Sequence, residues 1–135
     1  MQNLLKEWGP LLGRILIVQM FIPAGISKIT NFSGTLGYMT AHHVPLAELA
    51  LILSIPIELG CALLILVGWK ARWAAVILLV WVIPVNLFMH NFWAVSDPTM
   101  HTLTQVLFAK DIAVMGALLL IASMGPGPKS LDKTA

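Results

Sequence analysis

Residues 102–124 read TLTQVLFAKDIAVMGALLLIASM, a stretch that is apolar and long enough to cross a lipid bilayer. Crossing the hydrocarbon layer takes about 20 predominantly apolar residues. Lys110 and Asp111 are the only charged residues of this stretch, and they stand side by side near its middle. A charge at the bilayer centre costs at least about 2.5–3.5 kcal/mol, so such residues face the protein interior and pair. The stretch therefore predicts a membrane helix with polar partners on its neighbours.

The composition of the whole chain points to the same solvent. Of its 135 residues, 59% are hydrophobic and 10% are charged, whereas soluble domains average about 45–50% and about 25%. A soluble chain of this length could not hide so much apolar surface in its own core. The net charge of +2 and the lack of a basic run exclude a nucleic-acid partner. The single cysteine, Cys61, excludes an intrachain disulfide, and no spacing typical of metal ligands is present.

Three further segments are long and apolar enough to cross the membrane. In lipid, backbone groups must hydrogen-bond within the segment, so the spans are expected to be helices. Asp97-Pro98 is a favoured helix start, and Gly125-Pro126-Gly127-Pro128 is a stop signal. We predict an all-α integral membrane four-helix bundle forming a single domain over residues 1–135, with spans at about 10–29, 46–67, 71–91 and 98–124.

The placement of the basic residues predicts the orientation. In this topology one side of the bilayer carries six lysine or arginine residues and the other carries two, which favours a cytoplasmic location for both termini. The first apolar run is too long for a signal peptide, so we expect a retained span in a multi-pass protein of the cell (inner) membrane. The six are Lys6, Arg14, Lys70, Arg72, Lys129 and Lys133, and the two are Lys28 and Lys110.

The first outer loop, TNFSGTLGYMTAHHVP at residues 30–45, has a helical pattern of its own. Phe32, Leu36 and Met39 recur at helical spacing, with Ser33 as a candidate cap and Pro45 as a stop. This pattern predicts a short helix lying in the membrane interface. An irregular connector is the alternative interpretation.

Polar residues within the spans fall at overlapping depths in the outer half of the membrane. Helical spacing places Ser54, Glu58 and Cys61 on one face, and Asn86 and His90 on another. A shared cluster that binds a ligand or handles protons is therefore predicted. Its candidate members are Glu58, His90, Lys110, Asp111, Lys28, Gln19 and Asn86, with the catalytic residues unknown and no metal expected.

Charge pairing within this cluster is expected because unpaired intramembrane charges are costly. Lys110 with Glu58 is the pair we predict, and Asp111 is then left to meet Lys28 or His90. Lys28 lies about half a turn from Gln19 on a helical wheel, so Lys28 fits the cluster less well unless Pro23 bends the helix.

Each of these residues also has a purely structural interpretation. The Glu58–Lys110 pair would then only fix the register of two helices. Arg14 and Lys28 would extend to opposite interfaces, and Asn86 would form an interhelical hydrogen bond. A haem bound by two histidines of this chain is disfavoured, because only His90 lies in a span.

Several segments resemble the DoxX family. The first span of the family is similar to residues 13–29, GRILIVQMFIPAGISKI, and its central pair of spans is similar to residues 44–80, VPLAELALILSIPIELGCALLILVGWKARWAAVILLV. The end of its third span is similar to residues 88–93, FMHNFW, and its last span and tail are similar to residues 108–132, FAKDIAVMGALLLIASMGPGPKSLD. The positions that carry the resemblance are Arg14, Gly25, Lys28, Glu58, Gly60, Arg72, His90, Trp93 and Asp111.

The resemblance implies a four-helix membrane protein related to subunits of quinol-linked and quinone-linked oxidoreductases. We therefore expect a membrane subunit of a respiratory or redox complex, which anchors or serves a quinone-linked oxidoreductase. Quinone is the candidate ligand, a membrane redox protein is the expected partner, and a homo-oligomer is an alternative assembly. The other functions to consider are a structural or assembly protein without a catalytic role and a small oligomeric transporter. Whether the chain is itself an enzyme stays undecided by the sequence.

Overall fold

The computed structural model describes residues 1–132, which form five α-helices and one short 3₁₀ turn. Within the described residues, four helical stretches are long and apolar enough to cross a membrane. This confirms the predicted all-α membrane bundle. The elements are α1 Gln2–Thr30, α2 Phe32–Ala41, α3 Ala47–Val67, α4 Ala71–Met89, the 3₁₀ turn Phe92–Ala94 and α5 Pro98–Met124.

The long helices pack in the order α1, α3, α4, α5 around the bundle. The most deeply buried side chains include Ala62 and Ile65 on α3 and Ala75 and Leu78 on α4, so these two helices form the middle of the core. Many large apolar side chains on the outer faces are exposed, such as Trp73 at 72%. This is expected where lipid is the solvent, because lipid tails are as apolar as the side chains themselves.

The bundle has two distinct ends. We call one the α2 end, because it carries α2 and the 3₁₀ turn between α4 and α5. We call the other the tail end, because it carries the start of α1, the α3–α4 turn and the tail segment, residues 125–132. The antiparallel course of consecutive helices brings these parts together at each end.

Local signals fix several helix boundaries. Asp97 caps α5, and its Oδ2 accepts a hydrogen bond from the Met100 N–H at 2.9 Å, with Pro98 in the first turn as predicted. The short helix predicted in the first loop is confirmed, but it begins at Phe32, so the expected cap Ser33 lies inside it. The first helix already begins at Gln2, ahead of the predicted span.

Arg14 is buried at the tail end, contrary to the expectation that it extends to an interface. Its Nη1 donates to the carbonyls of Ile65 at 3.3 Å and Leu66 at 2.9 Å, and its Nη2 donates to those of Pro128 at 3.4 Å and Lys129 at 2.6 Å. The last carbonyls of a helix lack intrahelical partners, and a guanidinium offers five N–H donors. Arg14 therefore joins α1, the end of α3 and the tail segment.

The tail segment also completes the turn between α3 and α4. The N–H groups of Leu131 and Asp132 donate to the carbonyls of Val67 at 3.0 Å and Gly68 at 2.6 Å. Gly68 adopts a φ of 71°, the left-handed conformation that favours glycine at a helix C-terminus. The Asp132 carboxylate accepts hydrogen bonds at 2.7 and 3.0 Å from the first N–H groups of α4, those of Lys70 and Ala71.

Candidate functional site

A close approach of α1 and α3 creates the first ion pair at the α2 end. A Cβ built on Gly25 would lie 2.5 Å from Leu59 Cγ, so glycine is needed where the helices meet. Lys28 follows Gly25 by about one turn, and Glu58 adjoins Leu59. Lys28 Nζ lies 2.5 Å from Glu58 Oε1, and the two side chains are 19% and 6% exposed. The contact therefore ties α1 to α3 through a largely buried pair.

A second polar contact joins α4 to α5. His90 Nδ1 lies 2.8 Å from Asp111 Oδ2 and 3.3 Å from Asn86 Oδ1. Because both partners are acceptor oxygens, Nδ1 is the ring nitrogen that carries a hydrogen. Asn86 is itself buried and donates from Nδ2 to the Phe108 carbonyl at 3.3 Å. Asn86 thus holds His90 against Asp111.

The predicted pair of Lys110 with Glu58 is wrong. Lys110 Nζ lies 3.5 Å from Asp111 Oδ1 on its own helix, and its side chain is 42% exposed. Each interhelical contact instead joins helices that pack side by side, α1 with α3 and α4 with α5. Glu58 therefore meets Lys28, and Asp111 meets His90, one of the two partners predicted for it.

A cavity of about 260 Å³ lies between these contacts at the α2 end. Five charged or ionisable side chains of the predicted cluster border it, and methionine, aromatic and branched side chains form most of the remaining wall. We call it the site cavity. Its polar side is formed by Lys28, Glu58, His90, Lys110 and Asp111, and its apolar side includes Met20, Phe21, Met39, Trp81, Val82, Val85 and Met89.

Two of the predicted members of the cluster do not line the site cavity. Gln19 is exposed on α1, because nine residues at about 100° each place it on the side of the helix opposite Lys28. Asn86 lies behind His90 and supports it without bordering the cavity.

Trp81 borders the site cavity and was missed as a site residue by sequence reasoning. A signal was present, because tryptophan in membrane proteins is enriched at the two interfaces. Trp81 lies in the middle of α4, far from both ends of the helix. A tryptophan at this depth, on the same face as Val85 and Met89, does not belong to an interface, and that marked Trp81 as a candidate site residue.

The site cavity is bordered by side chains whose hydrogen-bonding capacity is not fully used. Within residues 1–132, three buried side-chain nitrogen or oxygen atoms lack a hydrogen-bond partner, namely Glu58 Oε2, Trp81 Nε1 and Arg14 Nε. The first two belong to residues that border the site cavity, while Arg14 lies at the tail end. An unsatisfied buried donor or acceptor costs about 1–3 kcal/mol.

These observations define a class of protein: a bundle of four apolar helices that encloses a small polar cavity within an apolar wall. The comparison with protein families agrees with that architecture. The chain matches the family model of DoxX over residues 9–91, and it belongs to the DoxX family.

Relatives match over most of the chain. It is 32% identical to the inner membrane protein YphA of Escherichia coli, over 91% of this chain and 87% of that protein. It is 34% identical to the inner membrane protein YqjF of the same organism, over 96% and 93%. A surfeit locus protein 4 homolog of Drosophila melanogaster is 30% identical over 98% of this chain and 43% of its own length. No solved structure matches the chain significantly.

Proposed function

We propose that this protein is a membrane subunit of a respiratory or redox complex, which binds a quinone headgroup in the site cavity and serves a quinone-linked oxidoreductase. One observation carries the proposal: Glu58 Oε2 and Trp81 Nε1 are buried and unpartnered in residues 1–132, and both belong to residues that line the same cavity. Small-molecule sites typically combine apolar walls with a few placed polar groups. A quinone headgroup has that complementary form, a flat ring with oxygens on opposite edges.

The charges around the site cavity favour a neutral headgroup. Lys28 is compensated by Glu58, and Lys110 by Asp111, so no large excess of either sign faces a ligand. The Trp81 N–H can donate to a quinone carbonyl, and Glu58 can accept from a quinol hydroxyl. The Trp81 N–H can therefore meet an oxygen of either form, whereas the Glu58 carboxylate favours the reduced form, which alone carries a hydroxyl donor.

The size of the site cavity supports a headgroup rather than a whole lipid. Its volume of about 260 Å³ lies just below the roughly 300–1,000 Å³ typical of sites for drug-sized ligands. A substituted benzoquinone ring is smaller than such ligands, whereas a long tail would have to lie elsewhere.

The proposal includes an orientation in the inner membrane with both termini in the cytoplasm. YphA and YqjF are named inner membrane proteins, and an excess of basic residues marks cytoplasmic ends. Lys6, Arg14, Lys70, Arg72 and Lys129 lie at the tail end of the described structure. Lys133 lies outside the described residues. Fluorescent and alkaline phosphatase reporters fused to the C-terminus should give fluorescence and no phosphatase activity.

Quinone binding is tested by calorimetric titration of the purified protein in lipid nanodiscs. The probe is 2,3-dimethoxy-5-methyl-1,4-hydroquinone, the reduced form without a tail, which is kept reduced under anaerobic conditions, with empty nanodiscs as the blank. Saturable binding is expected, and Glu58→Gln should weaken it by about tenfold or more, since a charge-assisted hydrogen bond contributes about 1.5–3 kcal/mol. The matched control is Glu48→Gln, the same change at an exposed position of α3, which should bind like the parent. Absence of saturable binding to the parent would refute the proposal.

A structural or assembly role is the alternative, and a specific observation favours it. The two interhelical contacts, Lys28–Glu58 and His90–Asp111, connect neighbouring helices and so fix their register. In that case Glu58→Gln lowers the yield of folded protein while the parent binds no quinone. Mass spectrometry of lipids and proteins that co-purify from the native membrane in mild detergent separates the roles, because only the first predicts a quinone and an oxidoreductase.

A further inference from the structure

A second cavity adjoins the site cavity at the α2 end. It has a volume of about 170 Å³ and lies between the α2–α3 connection and the outer part of α4. All of the residues that line it are apolar in character. Four of them, Met39, Trp81, Val85 and Met89, line the site cavity as well. We call this second cavity the apolar groove, and the shared residues show that it lies directly beside the site cavity.

We propose that the apolar groove holds the tail of the amphiphile whose headgroup occupies the site cavity. The ligand class is then a neutral, hydrogen-bonding ring that carries an isoprenoid or alkyl tail. This inference rests on the proposed function, because it takes the headgroup site as given. It adds the path by which the tail leaves the bundle and the residues that select for a tail.

Charge decides between the possible paths out of the site cavity. A tail that left past Lys28 or Lys110 would lie against ammonium groups and displace their hydration, which is unfavourable for both partners. The apolar groove has no charged residue in its lining. An alkyl chain placed there contacts only apolar side chains and reaches the lipid-exposed surface, where Phe88 is 38% exposed.

Trp81 occupies the junction of the two cavities. Its indole lines both of them, and its buried N–H has no partner within residues 1–132. One side chain is therefore placed to donate a hydrogen bond to the ring and to pack against the first tail unit. This makes Trp81 the residue that aligns the headgroup with the exit of the tail.

The chain also offers a matched control groove. Pro10, Gly13, Arg14 and Ala117 are among the residues that line a cavity at the tail end, and none of its lining residues borders the site cavity. Ala117 there and Ala50 in the apolar groove are both partly buried alanines. The same substitution at the two positions adds equal bulk to two grooves, of which only one is proposed to hold the tail.

The experiment compares the tailless hydroquinone with its 6-decyl derivative, each titrated into nanodiscs that contain the parent, Ala50→Phe or Ala117→Phe. A phenylalanine side chain at position 50 would fill the apolar groove and leave too little space for the tail. Ala50→Phe should therefore weaken binding of the decyl derivative by about tenfold or more and leave the affinity for the tailless compound unchanged. Ala117→Phe should bind both compounds like the parent. Equal binding of the decyl derivative by the parent and Ala50→Phe would overturn the proposed tail path.

The outcomes separate this inference from the proposed function. If neither compound binds the parent, both are overturned. If the tailless compound binds and the Ala50→Phe substitution has no effect, only the tail path fails. Should Ala50→Phe not fold, a decyl derivative with a diazirine at the tail end is photolysed on the parent instead. Labels near Val44, Pro45 or Phe88 support the groove, and labels confined to the helix α5 or α1 surface refute it.

Discussion

The two ends of the bundle use buried charge in opposite ways. At the tail end, charged side chains bind the backbone: Arg14 donates to four carbonyls, Arg72 donates to the carbonyls of Ala122 and Ser123, and Asp132 accepts from two N–H groups. At the α2 end, the charged side chains bind one another and border a cavity.

The difference separates charges that build the fold from charges that can meet a ligand. A helix-end carbonyl needs a partner in every state of the folded protein, so a charge bound to it has a structural role. A side chain in an ion pair beside a cavity can exchange part of its hydrogen bonding for a ligand. Of the positions that carry the family resemblance, Arg14 and Arg72 fall in the first group, while Lys28, Glu58, His90 and Asp111 fall in the second.

Replacing Arg14 with methionine should give the largest loss of stability. The change leaves four carbonyls without their charged donor, and a hydrogen bond to a charged group contributes about 1.5–3 kcal/mol. We expect the free energy of unfolding, measured by SDS titration in mixed micelles, to fall by at least about 3 kcal/mol. Lys6→Met, at an exposed position of the same helix, is the control and should have no effect. An Arg14→Met protein as stable as its parent would erase the contrast between the two ends.

Replacing Asp132 with alanine tests whether the tail segment acts as a helix cap. Loss of an N-cap side chain costs about 0.5–2 kcal/mol, and Asp132 bonds two N–H groups at the start of α4. Asp97→Ala removes the local cap of α5 and gives the reference value. The two variants should lower the unfolding free energy by similar amounts. If Asp97→Ala lowered the unfolding free energy and Asp132→Ala did not, the tail segment would contribute nothing to the stability of α4.

Replacing the whole Lys28–Glu58 pair should change stability little. Substitution of a buried ion pair by apolar residues of similar size is often neutral or stabilising. The double variant Lys28→Met, Glu58→Leu is therefore expected to unfold within about 1 kcal/mol of the parent and to lose quinone binding. The single variant Glu58→Leu leaves Lys28 without its partner and should be less stable than the double. A double variant as damaged as Arg14→Met would assign this pair a structural role.

The smallest effect is expected at Lys110. Its side chain is 42% exposed and its contact with Asp111 is long at 3.5 Å, and exposed pairs contribute about 0–1 kcal/mol. The Lys110→Met protein should unfold at the same temperature as the parent. The measurement is the amount of folded protein that remains after heating, determined by size-exclusion chromatography. A marked loss of stability would place Lys110 among the structural charges.

The sequence was sufficient for the helices and for their local ends. Runs of apolar residues set the four spans, Asp97-Pro98 set the start of α5, and helical spacing revealed α2 in the first loop. These features depend on neighbours along the chain, which a single sequence displays. The face of α3 that carries Ser54 and Glu58 was likewise recognised, and both residues are buried.

The partners of the charged residues could not be derived in the same way. Depth along the span placed Lys28, Glu58, Lys110 and Asp111 at comparable levels, but depth does not say which helices are neighbours. The order α1, α3, α4, α5 decides it, and that order depends on contacts between distant parts of the chain, such as the close approach of Gly25 to Leu59. The role of Arg14 was missed for the same reason, since its acceptors include Lys129, 115 positions away.

The cap on α4 comes from a residue 61 positions further along the chain. Because the chain is synthesised from its N-terminus, α3 and α4 are made before Asp132, and their turn lacks this cap at first. Residues at the far end of the chain then close that turn after the last helix has been inserted. Stabilisation of the inserted bundle is thus linked to the emergence of its final described residues, and a premature stop before Pro128 would leave an inserted but unfastened set of helices.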